Sequence, residues 1–369
     1  MTGKSSHYFA HGNTARGAHF LYHSAFQGLN RIFVLSGPPG TGKSTVIRQL
    51  ADTLLEEGHN VQCFHSPLRS DELEGLIATE LNVGVVDEEA CDDIPIDDIC
   101  EIHTYNFGEA LDNSRITQEN LTTIEELKAT LDETYSKAYE TFAQALQIHD
   151  DWERFYIKSM DFVKANQVAQ DLAQELFDGR GDAIPTTGRH LFFGAATPNG
   201  AYDFIQSLTA QLQRRIFIKG RPGSGKSTLL KKLTAAAETS GVEVQVYHCG
   251  FDPNSLDMLI FPTLSTAIFD STAPHEYFPD REGDEVLDMY ELTMTPGTDE
   301  EYATELSDIK ERYSAKMKEA TSYLAEAEAI DSQLKAFYTE ATDFSIVEQL
   351  RLQLQTEFKE LLSRKNSMI

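Results

Sequence analysis

Apolar positions along the chain switch between two spacings, and the switch predicts an α/β fold built twice. Short continuous runs of β type, Ile32-Phe33-Val34-Leu35 and Ile216-Phe217-Ile218, are each followed by a glycine-rich loop. A pattern of helical period then covers 46–55 in the first case and 229–237 in the second. Gly58 and Gly241 stand where such helices take a C-terminal glycine. Next come strand patterns over 61–65 and 244–248, and the runs Val83-Gly84-Val85-Val86-Asp87 and Thr266-Ala267-Ile268-Phe269-Asp270. Upstream, a short strand is expected over 8–10 or 191–193. A helix capped by Thr14 or Thr197 should follow, with Pro198 at its first position. Strands alternating with helices predict two tandem α/β domains, each a mostly parallel sheet with helices on both faces.

The end of each half reads differently. Glycine and proline are absent over 117–177 and 299–362. Apolar residues recur at Ile124, Leu127, Leu131, Tyr135, Ala138, Phe142 and Ala145, and again at Leu306, Ile309, Tyr313, Met317, Ala320, Leu324 and Ala327. Both series step as the seam of a coiled-coil-like helix does. A second helix should return after Asp161-Phe162 or Asp343-Phe344, giving a helical hairpin over 117–178 and 299–364. Two ordinary helices packed across the sheet are the alternative. After Asp87 or Asp270 no further strand is legible. Either the strand at 8–10 completes the sheet, or the one at 191–193 crosses into the first half's sheet.

The halves are copies. At an offset of 183, His7 falls on His190, Phe9 on Phe192, Gly17 on Gly200, His65 on His248, Leu73 on Leu256 and Asp87 on Asp270. At 182 the match resumes, with Ala138 on Ala320 and Phe155-Tyr156 on Phe337-Tyr338. The expected domains are therefore 1–180 and 189–369, joined by a linker at 179–188 that carries Gly179, Gly181, Pro185 and Gly188.

The candidate chemistry lies in the two loops, which both fit the P-loop pattern G-x-x-x-x-G-K-[ST]. Gly37, Pro39, Gly40, Thr41, Gly42, Lys43, Ser44 and Thr45 form the first. Gly220, Pro222, Gly223, Ser224, Gly225, Lys226, Ser227 and Thr228 form the second. Such glycines let backbone N–H groups crowd around phosphate oxygens at a helix N-terminus. Lys43 and Lys226 would reach the β- and γ-phosphates, making them catalytic candidates. Ser44 and Ser227, with Asp87 and Asp270 at the ends of the later strands, would hold Mg²⁺. Glu88 is a candidate to polarise an attacking water; the second half has Ser271 there. His65 and His248, at strand ends, can face a phosphate, an acceptor group or merely a neighbouring loop. Thr272 and His275 can also face the γ-phosphate. Arg69, Arg154, Arg214, Arg221 and Arg281 are candidates to stabilise developing charge. No N-K-x-D segment is present, which tilts the nucleotide towards ATP.

Composition narrows the classes. The net charge of −28 argues against a nucleic-acid partner. No apolar run is long enough to span a membrane, and the start lacks the apolar core of a signal peptide. Four cysteines without a C-x-x-C pair point to reduced thiols and a cytoplasmic location. Cys91, Cys100 and His103 do not match a standard metal spacing.

The first loop resembles that of AAA-type ATPases, and the second is similar to those of small-molecule kinases and NACHT-type ATPases. Over its length the chain resembles a poorly characterised bacterial family of ATPases with two P-loop domains in tandem. The likeness rests on 214–230, Tyr247-His248-Cys249-Gly250-Phe251-Asp252 and Phe269-Asp270-Ser271-Thr272-Ala273-Pro274-His275-Glu276. It implies ATP binding and hydrolysis, with no physiological substrate. The first half departs from it, since Asp87-Glu88-Glu89-Ala90-Cys91-Asp92 replaces the Thr-Ala-Pro-His stretch. The expectation is a Mg²⁺-dependent ATPase whose nucleotide state rearranges its domains. A protein partner or metabolite would meet the helical hairpins. The rivals are a nucleotide or small-metabolite kinase and a non-hydrolysing nucleotide sensor. Among the kinase rival's expected lid arginines, 118–177 offers only Arg154.

Overall fold

The computed structural model describes residues 2–90, 100–179 and 184–366. They fall into two compact units that do not coincide with the sequence halves. The first draws on the chain up to His11, on Phe20–Lys137 and on the chain from Ser322 onward; the second draws on Gly12–His19 and Ala138–Thr321.

In the first half the elements are β1 (Ser5–Tyr8), β2 (His11–Thr14), β3 (Gly17–Phe20), α1 (Tyr22–Ala25), β4 (Arg31–Ser36) and α2 (Lys43–Glu56). They continue with β5 (Val61–His65), β6 (Leu73–Ala78), β7 (Val83–Asp87), β8 (Glu101–Asn106), α3 (Gln118–Ser159) and α4 (Phe162–Phe177). The second half repeats them as β9 (Arg189–Phe192), β10 (Gly194–Thr197), β11 (Gly200–Asp203), α5 (Ile205–Thr209), β12 (Arg214–Lys219), α6 (Lys226–Thr239), β13 (Gln245–His248), β14 (Leu256–Phe261), β15 (Thr266–Asp270) and β16 (Asp284–Asp288). Short helices α7 (Met289–Thr293) and α8 (Thr298–Glu301) then precede α9 (Ala303–Ala341) and α10 (Phe344–Asn366).

Each unit is built on a six-stranded sheet, ordered β1-β5-β6-β7-β4-β8 in one and β9-β13-β14-β15-β12-β16 in the other. β6 and β14 run antiparallel to both neighbours; every other pairing is parallel. β4 lies inside its sheet with Ile32 to Leu35 all buried, which is why it reads as an unbroken apolar run.

Four expectations are corrected. Thr14 and Thr197 cap no helix. The Thr14 hydroxyl accepts from the Arg16 N–H and donates to the Gly17 carbonyl, closing the tight turn of the β2–β3 hairpin. Thr197-Pro198-Asn199-Gly200 does the same between β10 and β11, with proline pre-set for the turn rather than for a helix. A further strand does exist after Asp87 and after Asp270. β8 and β16 pair parallel with β4 and β12, as polar edge strands whose exposed side chains hid them from an apolar pattern. β9 stays in its own half's sheet, on β13.

The fourth correction concerns the domain boundaries 1–180 and 189–369. The core over the first sheet joins Phe33, Val46, Ile47 and Leu50 to Val347, Leu354 and Phe358 of α10. The core over the second sheet joins Ile216, Leu229, Leu230 and Leu233 to Ala169, Leu172 and Phe177 of α4. Each sheet is thus covered by the last helix of the opposite sequence half. Both helices start where expected, with Asp161 accepting from the Val163 and Lys164 N–H groups and Asp343 accepting from the Ser345 N–H.

The predicted seams fall on the 42-residue α3 and the 39-residue α9, while α4 and α10 pack on the sheets rather than forming hairpins with them. In the first unit Ile124 packs with Leu334 and Tyr338; in the second Tyr156 packs with Leu306. No helix among the described residues is long and apolar enough to cross a membrane.

Candidate functional site

Both glycine loops sit at the carboxyl end of a strand held between two parallel neighbours. In open α/β sheets that is where ligands bind. β4 ends at Ser36, the loop turns back, and α2 opens at Lys43 with Gly42 as its N-cap at φ 91°. β12 leads likewise to α6, with Gly225 at φ 84°. A side chain is strained in that left-handed conformation. Among the described residues no N-cap side chain bonds to the first-turn amides of either helix.

Charged groups converge at each loop. Lys43 Nζ lies 3.3 Å from Asp87 Oδ1 and donates to the Gly37 and Pro38 carbonyls. Lys226 Nζ lies 3.5 Å from Asp270 Oδ2 and donates to the Arg221 carbonyl at 3.1 Å. Burial pushes the Asp87 carboxyl up to about 7, with Lys43 opposing. Ser44 Oγ accepts from the Leu73 N–H and Ser227 Oγ from the Leu256 N–H, both at 3.0 Å. β6 and β14 therefore fix the two hydroxyls from the side. Thr41 donates to the Pro38 carbonyl at 2.8 Å, whereas its counterpart Ser224 is buried with a hydroxyl that has no hydrogen-bond partner among the described residues. Pro39 and Pro222 lead into Gly40 and Gly223, both of positive φ, and Thr45 and Thr228 are exposed on the first helical turns.

Around this centre the halves diverge. Glu88 is exposed on the turn Glu88–Ala90, and it is Glu89 that faces Lys43, at 3.5 Å. In the second half Ser271 is fully buried and donates to the Tyr277 carbonyl. Thr272 donates to Asp270 through both its N–H and its hydroxyl. His275 is turned to Asp203 of β11, at 2.7 Å. The candidate arginines have acidic or carbonyl partners: Arg69 with Asp331, Arg154 with Asp151, Arg214 with Glu285, Arg221 with Asp299, and Arg281 with the Thr209, Ala210 and Leu212 carbonyls. Cys91 lies outside the described residues, and His103 faces Glu357 at 3.3 Å.

His65 and His248 are tied to neighbouring loops. His65 Nδ1 donates to the Ser70 carbonyl at 2.6 Å, so its Nε2 accepts from His7 at 2.8 Å. His248 repeats this with the Pro253 carbonyl and His190. Burial lowers both, to about 4, against the help of those carbonyls. In the unfolded chain they titrate near 6.5. The folded protein therefore binds fewer protons between those values, and its stability rises with pH there. The contribution is complete above about 6.5 and is lost as pH falls towards 4. For His65, only 7% exposed, it is on the order of 3 kcal/mol. Urea unfolding at pH 7 and pH 5 should show the loss, and His65→Gln should flatten it; an unchanged slope contradicts this account.

What the sequence missed is the wall that each long helix supplies. A cavity of about 1630 Å³ opens beside the second loop, bounded by His149 and Glu153 of α3, Tyr313 of α9 and Pro198 of the β10–β11 turn. Ligand atoms of His149, Asp150 and Glu153 lie within 4.8 Å of one another. At the first loop the corresponding wall is α9, with Asp331, Lys335 and Thr339. No local signal marks these residues, because their place depends on which sheet a distant helix crosses. Comparison with protein-family models, curated proteins and solved structures gave no match.

Proposed function

We propose that the chain is a Mg²⁺-dependent ATP-binding protein and ATPase with a nucleotide site at each glycine loop. The observation that carries this reading is the repeated set Lys43, Ser44, Asp87 and Lys226, Ser227, Asp270. Each set gathers a loop lysine, a hydroxyl on the first helical turn and a carboxylate on the adjacent parallel strand. The residues fit the ligand. Uncapped helix starts suit phosphate, and a hydroxyl with a carboxylate is a hard-oxygen pair suited to Mg²⁺. When bound, Mg²⁺ would neutralise charge on the phosphates. Lys43 and Lys226 would exchange their loop carbonyls for phosphate oxygens. The absence of an N-K-x-D segment keeps ATP ahead of GTP.

The two sites would not be equivalent. Glu88 is exposed beside Asp87 and can turn towards a water, while Ser271 is buried and committed to a carbonyl. Hydrolysis is therefore proposed at the first loop and binding at the second. The cavity beside the second loop favours one alternative, phosphoryl transfer to an acceptor, because its volume of about 1630 Å³ exceeds what one drug-sized ligand occupies. Steady-state phosphate release from ATP, with and without Mg²⁺, tests the reading. Turnover that requires Mg²⁺ and falls in Glu88→Gln supports it. No detectable ATP binding by calorimetry would end it, and phosphate recovered on an added metabolite would move it to a kinase.

A further inference from the structure

The loop after β15 holds a histidine that neither glycine loop uses. Asp203 ends β11, and its Oδ2 stands 2.7 Å from His275 Nδ1. Its Oδ1 accepts from the Tyr277 hydroxyl at 2.8 Å and from the Ile205 N–H at 3.1 Å. Burial opposes ionisation of Asp203, but the bonds from His275 and Tyr277 outweigh it and hold the carboxyl below its ordinary range. An ionised carboxylate only accepts, so His275 Nδ1 carries the ring proton and Nε2 keeps the basic lone pair.

This loop is fastened at both ends. The Thr272 N–H and hydroxyl donate to Asp270 Oδ1 at 3.0 and 2.6 Å, and the His275 N–H donates to the Thr272 carbonyl at 3.0 Å. Further on, Ser271 Oγ donates to the Tyr277 carbonyl at 2.6 Å. His275 lines the same cavity as Lys226 and Asp270, and Trp152, Tyr313 and Met317 give that cavity an apolar wall. At the repeat offset of 183, Asp203 and His275 become Phe20 and Asp92, so the pair belongs to the second half alone.

We propose that His275, oriented by Asp203, is the general base that takes the proton of an alcohol acceptor held in the cavity beside the second loop. This rests on reading that loop as a nucleotide site and names the acceptor class for it. As the hydroxyl oxygen bonds to the γ-phosphorus, its proton passes to His275 Nε2. The bond from the γ-phosphorus to the β,γ-bridging oxygen breaks, and ADP leaves with that electron pair. Asp203 stabilises the imidazolium, which then returns its proton to water. The acceptor class follows from the base. A carboxylate or phosphate is already ionised at neutral pH and needs no base, whereas an alcohol must lose a proton as it attacks. The apolar wall and a volume of about 1630 Å³ suit an alcohol with a sizeable apolar body. Asp203 acts through His275 and is a positioning residue.

The test uses the full chain carrying Lys43→Ala as parent, with Mg²⁺, ADP and orthovanadate as the calorimetric probe. Vanadate on ADP mimics the phosphoryl group in transfer, and its apical oxygen stands where an acceptor oxygen attacks. Vanadate should tighten ADP binding in the parent, and His275→Gln should cut that gain about tenfold, the value of one charge-assisted hydrogen bond. Asp203→Asn should move the ring proton from Nδ1 to Nε2, read in the nitrogen resonances of His275, and cut the gain in parallel; this variant carries the test if the first does not fold. A gain that both variants leave intact, or no gain in the parent, overturns the base and leaves the nucleotide site standing. No ADP binding in the parent, or binding that survives an added Lys226→Ala, overturns that site and the base with it.

Discussion

Lys226→Ala should abolish triphosphate binding at the second loop, and Lys43→Ala should cut ATP turnover at least a hundredfold. In the proposed sites the lysines would meet the charge of the phosphates; they stand 3.3 Å and 3.5 Å from the carboxylates of Asp87 and Asp270. Removing one donor aimed at developing charge lowers a rate by about 10²–10³. Lys43 is only 4% exposed and faces both Asp87 and Glu89, so its loss also removes both of those ion pairs. That makes the fold of the variant a necessary control, by circular dichroism and urea melting. The asymmetry of Glu88 and Ser271 gives the experiment its resolution. If hydrolysis belongs to the first loop, Lys43→Ala eliminates phosphate release while the second loop still binds. If Lys226→Ala alone eliminates it, the assignment of the loops is reversed. Equal turnover in both variants and wild type would remove the loops from the chemistry altogether.

Legibility in the sequence followed the range of the interactions. β4, β7, β12 and β15 are buried along nearly their whole length, so Ile32 to Leu35 and Ala267 to Phe269 announce themselves as apolar runs. Gly58, Gly241, Asp161 and Asp343 mark helix ends through chemistry confined to a few residues. β6 and β14 were not legible as strands. Glu74 and Asp257 interrupt them; the Glu74 carboxylate faces His11 at 3.6 Å, and burial and Asp270 hold Asp257 above the ordinary carboxylate range. β8 escaped because an edge strand may be polar on nearly every residue, as Glu101 to Thr104 are exposed.

The site divides in the same way. Lys43, Ser44 and Asp87 come from one local motif and one strand beside it, so their spacing alone singles out all three as candidates. Glu153 and Lys335 belong to helices whose destination depends on apolar stripes matching a sheet far away in sequence. Their own stretch of sequence shows a seam, not the surface it meets. The wrong domain boundaries have the same origin. Ala169, Leu172 and Phe177 form a helical stripe that fits either sheet equally well on paper, and the structure lays it on α6.

That exchange of helices sets the second large effect. A chain ending at residue 180 should not form a stable first sheet, although it contains all six of its strands. It lacks α10, whose Val347, Leu354 and Phe358 are buried in the core with Phe33, and the Phe358 ring lies tilted against the Phe33 ring with centroids 5.4 Å apart. Burying three such side chains contributes about 2 kcal/mol each from water transfer alone, and exposing the sheet face they cover adds to that. The total is comparable to the whole stability of an ordinary domain, which is roughly 5–15 kcal/mol. In the intact chain Phe358→Ala should cost about 3–5 kcal/mol and Leu172→Ala about 2–5. The first should loosen β4 and β7 and the second β12 and β15, each opposite to the half of the sequence that carries the mutation. Hydrogen exchange resolved by peptide reads this directly. A fragment 1–180 that melts cooperatively, or a Phe358→Ala chain whose increased exchange falls on β12 and β15, would restore the boundaries that the sequence repeat suggests.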